Sequence, residues 1–149
     1  MAHAGSVDRL LEVLFAVVGL LAGFNPAADP CTVLDGLDTR REIAWAHGDP
    51  GLLAGVWATP AGESGDREML TAWAQRGLRV EGLQMERDSC QPVPGGVYVV
   101  ERVSHAVAVG HDQSRRQLPT GAWTARDIAL TFSTRWRISS VHTVSQPAL

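Results

Sequence analysis

The stretch Ile128–Val144, IALTFSTRWRISSVHTV, decides the fold. Ile128, Leu130 and Phe132 alternate with Ala129, Thr131 and Ser133, and beyond Thr134-Arg135 the residues Trp136, Ile138 and Ser140 alternate with Arg137, Ser139 and Val141. A period of two puts successive side chains on opposite faces, so this stretch predicts two antiparallel strands with one face against a core. The rest of the chain must supply the cover for that face.

Working back from the hairpin, Gly96 to about Gly110 reads as one long strand with Val97, Val99, Val103, Val107 and Val109 on a single face. Glu101 and His105 share that face and are the candidate acid and base. Residues four apart on a strand are separated by about 13 Å, so contact between Glu101 and His105 does not follow from their spacing. His111–Gly121 is polar and reads as a long loop, and Asp88–Gly95, with Cys90, Pro92 and Pro94, reads as a turn region. Between Leu78 and Met85 the alternation slips phase at Gly82, which predicts a bulge that bends the strand.

Thr32–Gly77 predicts three helices. The first takes Thr32 as its N-cap and runs to His47, with Leu34, Leu37, Arg41, Ala44 and Trp45 on one side and Gly48 as its stop. Asp49-Pro50 starts the second, a cap followed by proline in the first turn. Thr59–Gly65 reads as a loop and Asp66 as the cap of the third, in which Met69, Leu70, Trp73 and Ala74 face inward before Gly77 ends it. Trp45, Trp57 and Trp73 each fall on an apolar stripe and are expected to pack in the core.

Leu10–Phe24, LLEVLFAVVGLLAGF, is apolar except for Glu12. It has no polar face, the flank carries little positive charge and no small-residue cleavage site follows, so it reads as an uncleaved signal anchor or transmembrane helix over residues 1–24, the alternatives being a secretory signal's apolar region and a buried helix of a soluble fold. Residues 25–31 form a proline-containing linker, and 32–149 the folded domain. Glu12 within such a helix suits a partner in a membrane bundle or a position near the headgroups.

Bulk composition narrows the function further. Of 149 residues, 45% are hydrophobic and 19% charged, and the formal net charge of -3 provides no basic field for nucleic acid. Cys31 and Cys90 lack any metal-ligand spacing, and no metal or cofactor is implied. In an oxidising compartment they close one disulfide worth about 3 to 4 kcal/mol, whereas in cytosol they are two unrelated thiols. The signal-anchor reading selects the first.

Helices followed by a bent antiparallel sheet ending in Trp136-Arg137-Ile138-Ser139-Ser140-Val141, with the turn Ala46-His47-Gly48-Asp49-Pro50-Gly51-Leu52-Leu53 between the first two helices, resemble the NTF2-like (cystatin-like, SnoaL-like) superfamily. The order of apolar segment, linker, helices and sheet is also similar to membrane-anchored actinobacterial proteins with an extracytoplasmic domain of this type. The resemblance implies an α+β cone in which three helices pack on a curved, mostly antiparallel sheet around a cavity. Enzymes of the superfamily, such as ketosteroid isomerases and polyketide cyclases, place Asp, His or Tyr in that cavity. Here Tyr98 is the only tyrosine and lies in opposite phase to Glu101, and no Asp-His pair maps onto those sites. The expectation is therefore a non-catalytic accessory domain, anchored in the cell membrane and facing outward, that binds an envelope protein and serves as a membrane-complex subunit. The alternatives are a small-molecule or lipid carrier using the cone cavity, and a cyclase-like or isomerase-like enzyme working through Glu101 and His105; the candidate residues for the cavity that the resemblance implies are Glu101, His105, Trp136 and Trp73. The oligomeric state is left open.

Overall fold

The computed structural model describes residues 28–145. The anchor expected over residues 1–24, with Leu10, Glu12 and Phe24, lies outside them. Three helical segments precede the sheet: α1 (Pro30–His47), a 3-10 helix (Pro50–Gly55) and α2 (Pro60–Gln75). β1 (Leu78–Val93), β2 (Gly96–Gly110), β3 (Arg115–Gln117), β4 (Thr124–Phe132) and β5 (Trp136–Thr143) follow. This is an α+β fold with helices packed on a curved antiparallel sheet. Among the described residues, no helix is long and apolar enough to cross a membrane.

All three helical segments begin by one device, a capping side chain followed by proline. Asp29 Oδ1 accepts from the Cys31 N–H at 3.0 Å, Asp49 Oδ1 from the Gly51 N–H at 2.9 Å, and Thr59 Oγ1 from the Gly62 N–H at 3.1 Å. Proline suits the first turn because its missing N–H would have had no helical acceptor there. The expected starts at Thr32 and Asp66 are thereby corrected: α1 begins at Pro30, and the expected loop Thr59–Gly65 is the first turn and a half of α2. The composition of Pro60-Ala61-Gly62-Glu63-Ser64-Gly65 favours a loop, but Thr59-Pro60 supplies a complete start signal and burial of Leu70 and Glu63 holds the helix in place. Gly48 and Gly77 take the left-handed conformation (φ 62° and 71°) and end α1 and α2 as expected.

The sheet has the order β1-β2-β4-β5, every pair antiparallel. β2 is its spine: one edge pairs with β1 along nearly its whole length, and the other pairs with β4 over Gly96–Glu101 and with β3 over Val107–Val109. The bulge read at Gly82 is present, with φ 64° and a register shift between Glu81 and Gln84. Asp88–Gly95 is not a turn region. β1 continues to Val93, and only Pro94-Gly95 turns. Pro92 is accommodated because β1 is an edge strand, where a missing N–H removes no ladder bond on the open side. The segment expected as a loop at His111–Gly121 contains β3.

Two apolar clusters lie between the helices and the sheet. One joins Leu34 and Leu37 to Val97, Val99, Ile128, Leu130 and Ile138; the other joins Ala44, Trp45, Leu53 and Leu70 to Val80 and Ala106. Ile128, Leu130 and Ile138 come from the β4–β5 hairpin, and they face this core as their alternation requires. An added Cβ at Gly96 would stand 1.9 Å from the Ile128 carbonyl oxygen. Backbone on both sides leaves nothing flexible to yield, so Gly96→Ala is expected to destabilise the fold by about 3 kcal/mol, the upper end for overpacking. Urea unfolding measures it, and an unchanged midpoint would disprove this close approach of β2 to β4.

Candidate functional site

Between the two apolar clusters the interior is charged. Along α1, Asp38 and Arg41 separate Leu37 from Ala44, and along β2, Glu101 separates Val99 from Ala106. Glu101, 4% exposed, is held between two guanidinium groups. Its Oε1 accepts from Arg126 at 2.9 Å, and its Oε2 lies 3.0 Å from Arg87 Nε without the N–H being aligned for a hydrogen bond. Arg87 also reaches α1, pairing with Asp35 at 2.7 Å and with Asp38. Burial pushes the Asp38 carboxyl above the ordinary aspartate range despite the Arg87 charge, and the negative charge of Glu101 adds to the rise.

Asp66 forms the second node. Its two oxygens accept from Arg41 Nε at 2.7 Å and Arg41 Nη2 at 2.9 Å, from Trp45 Nε1 at 3.0 Å and from Trp57 Nε1 at 3.2 Å. Burial alone would raise its pKa, but the Arg41 bonds and charge, joined by the two indole N–H groups, outweigh it and hold the carboxyl below the usual range. Far from capping a helix, Asp66 sits inside α2 and ties that helix to α1 and to the segment after the 3-10 helix.

The four expected cavity residues do not share one cavity. Glu101 is the counter-ion just described. The His105 ring Nδ1 lies 2.8 Å from the Gly82 carbonyl oxygen, so this histidine is used on the bulge. Trp136 packs edge-on against Phe132 at 5.4 Å and, with Val33 and Leu37, lines an apolar cavity of about 370 Å3 beside the start of α1. Trp73 packs edge-on against Trp45 at 6.2 Å and lines a different cleft, of about 560 Å3, beyond the end of α2. Trp45, Trp57 and Trp73 do join the second apolar cluster, though the first two also donate to Asp66. Glu101 and His105 thus have separate partners, Arg87 and Arg126 for the one and the Gly82 carbonyl for the other. Among the described residues, no three His, Cys, Asp or Glu side chains are grouped to hold a metal.

Arg87 and Asp66 are the residues that sequence reasoning missed, and both left a signal. Arg87 continues the phase of Leu83 and Met85, an arginine standing where an apolar residue is due. Asp66 falls four residues before Leu70 and seven before Trp73, on the buried stripe of α2.

Cys31 and Cys90 form a disulfide with Cα atoms 6.1 Å apart, joining the first turn of α1 to the far part of β1. Cys31, Asp35 and Asp38 follow helical spacing, so one stripe of α1 meets β1 twice, covalently at Cys90 and through ion pairs at Arg87.

No protein-family model and no curated protein matches the chain. Two solved structures share its fold. The intermembrane space region of the chloroplast protein ARC6 superposes with a TM-score of 0.55 at 15% identity, over 81% of this chain and all of that one. A conserved protein from Planctomyces limnophilus DSM 3776 gives a TM-score of 0.54 at 14% identity, over 76% of this chain and 96% of the other. At these identities the likeness is one of fold, a helical layer on a curved antiparallel sheet.

Proposed function

We propose that this chain is a non-catalytic, NTF2-like accessory domain, anchored in the cell membrane by Leu10–Phe24 and facing outward, where it binds a protein partner of the envelope as a subunit of a membrane complex. The observation that carries the reading is the Cys31–Cys90 disulfide, since such bonds persist in oxidising compartments and not in cytosol. Two further features support it. Glu101, the strongest candidate for acid-base work, is tied between Arg87 and Arg126 as a structural counter-ion. The ARC6 region of like fold is described as lying in an intermembrane space, so a domain of this shape serves in an envelope compartment there.

The test is a thiol count on full-length protein taken from its native host, together with affinity purification of tagged protein from native membranes in mild detergent. Zero free thiols and a stoichiometric membrane partner are expected. Two free thiols would refute the compartment, and a protein that elutes alone would refute the subunit role. The disulfide also has a stability consequence: Cys31→Ser with Cys90→Ser is expected to lower the unfolding free energy by about 3 to 4 kcal/mol, because the bond closes a 59-residue separation. Chemical unfolding with and without reductant measures it.

A carrier role is the second reading. The observation favouring it is that Trp73 and Trp136 each wall an open cavity of small-ligand size.

A further inference from the structure

At the end of the β1–β2 hairpin remote from the Pro94-Gly95 turn lies the cleft of about 560 Å3. Trp73, Leu78, Leu118 and Pro119 give it apolar walls, Arg76, Arg115 and Arg116 also line it, and no acidic residue does. Local structure accounts for the convergence. The Arg76 N–H donates to the Trp73 carbonyl at 3.0 Å, and Gly77, with φ 71°, turns the chain from α2 into β1 within one residue, so Arg76 and Leu78 border the same space. On the opposite side, β3 pairs with Val107–Val109, and the Leu118 N–H donates to the Ala106 carbonyl at 2.9 Å, which keeps Leu118 against β2.

The charges are not spent equally. Arg115 pairs with Glu81 at 2.7 Å, whereas Arg76 and Arg116 are exposed and have no ion-pair partner among the described residues. Guanidinium forks match a carboxylate or phosphate with two parallel N–H donors, and the apolar walls beside them favour hydrocarbon. The geometry points to a binding site for a single-chain amphiphile with an anionic head: the chain lies along Trp73 and Leu118, and the head meets Arg76 and Arg116. This goes beyond binding a protein partner and holds whether or not one exists.

The probe is dodecanoic acid carrying a diazirine at its chain end, with dodecyl phosphate and dodecylammonium counterparts bearing the same group. Full-length protein in phosphatidylcholine nanodiscs is irradiated with each, and the adducts are mapped by mass spectrometry. The anionic probes are expected to label the peptides containing Trp73 and Leu118 at least about tenfold more than the cationic probe, as charge-assisted hydrogen bonds of this kind imply. Arg76→Gln with Arg116→Gln is expected to lower that labelling by about tenfold with an unchanged thermal melt. Arg40→Gln with Arg135→Gln, at the apolar cavity beside Trp136, is expected to leave it intact. Labelling by only the carboxylate or only the phosphate identifies the head and upholds the site. Equal labelling by the cationic probe, adducts concentrated at Phe132 and Trp136, or indifference to the Arg76 and Arg116 changes would overturn it.

Discussion

Asp66→Asn is expected to lower the unfolding free energy by about 3 kcal/mol at neutral pH, the lower part of the range for breaking a buried ion pair because Arg41 keeps 28% of its side chain exposed. The substitution preserves shape and removes charge. It leaves the Arg41 guanidinium without its counter-ion and sets an amide NH2 among donors, where Arg41, Trp45 and Trp57 all need an acceptor. The sign of the pH dependence follows from the lowered carboxyl. A group whose folded pKa lies below its unfolded value adds stability above the unfolded pKa and loses it as pH falls toward the folded one. The gap between wild type and Asp66→Asn should therefore be full at pH 7 and narrow as pH drops below about 4, where unfolded aspartate titrates. Urea unfolding at several pH values measures it. A constant gap would mean that the substitution acts through packing alone. Arg41→Met combined with Asp66→Leu should recover part of the loss, because an apolar pair avoids the stranded charge although the indole N–H groups stay unsatisfied.

The strands were legible because their signal is local. Ile128, Leu130 and Ile138 are buried as their alternation requires, β2 spans Gly96–Gly110, and Gly82 bulges where the phase slips. The helix starts were less so. Asp29-Pro30 and Thr59-Pro60 carry the same signal as Asp49-Pro50, but each lies in a stretch whose composition suits a linker or loop. The charged interior was least legible, because the partners of Glu101 come from β1 and β4, 14 and 25 positions away in sequence, and the partner of Arg41 from another helix. Periodicity placed Glu101 and His105 on one face. It carried no information on how the Gly82 bulge draws His105 aside, or that two arginines would meet Glu101.

Arg87→Met is expected to cost about 3 kcal/mol at neutral pH, for a reason that the topology makes specific. Among the described residues, Arg87 is the one side chain that reaches Asp35, Asp38 and Glu101 together, with 13% of its own side chain exposed. Asp35 is 70% exposed and loses little when its partner goes, since exposed pairs contribute about 0 to 1 kcal/mol. Asp38 and Glu101 are the costly pair: without Arg87 two carboxylates repel each other between α1 and the sheet, and Arg126 remains to Glu101 alone. Asp38 already holds its proton more tightly in the fold than in the unfolded chain. Arg87 is what opposes that rise, so without it the Asp38 carboxyl is shifted up further and the variant loses more stability than wild type as pH rises; the deficit of Arg87→Met should be largest at neutral pH and shrink on acidification. Arg87→Lys keeps the charge but loses the fork that spans three acceptors, and should fall between wild type and Arg87→Met. Because Arg87 and Cys90 hold one stripe of α1, the deficit should also change when Cys31 and Cys90 are replaced. A helix released at its disulfide can move Asp38 toward water, so the loss of the combined variant should be smaller than the sum of the two separate losses. Strict additivity would show that the covalent and ionic ties act on independent parts of the fold.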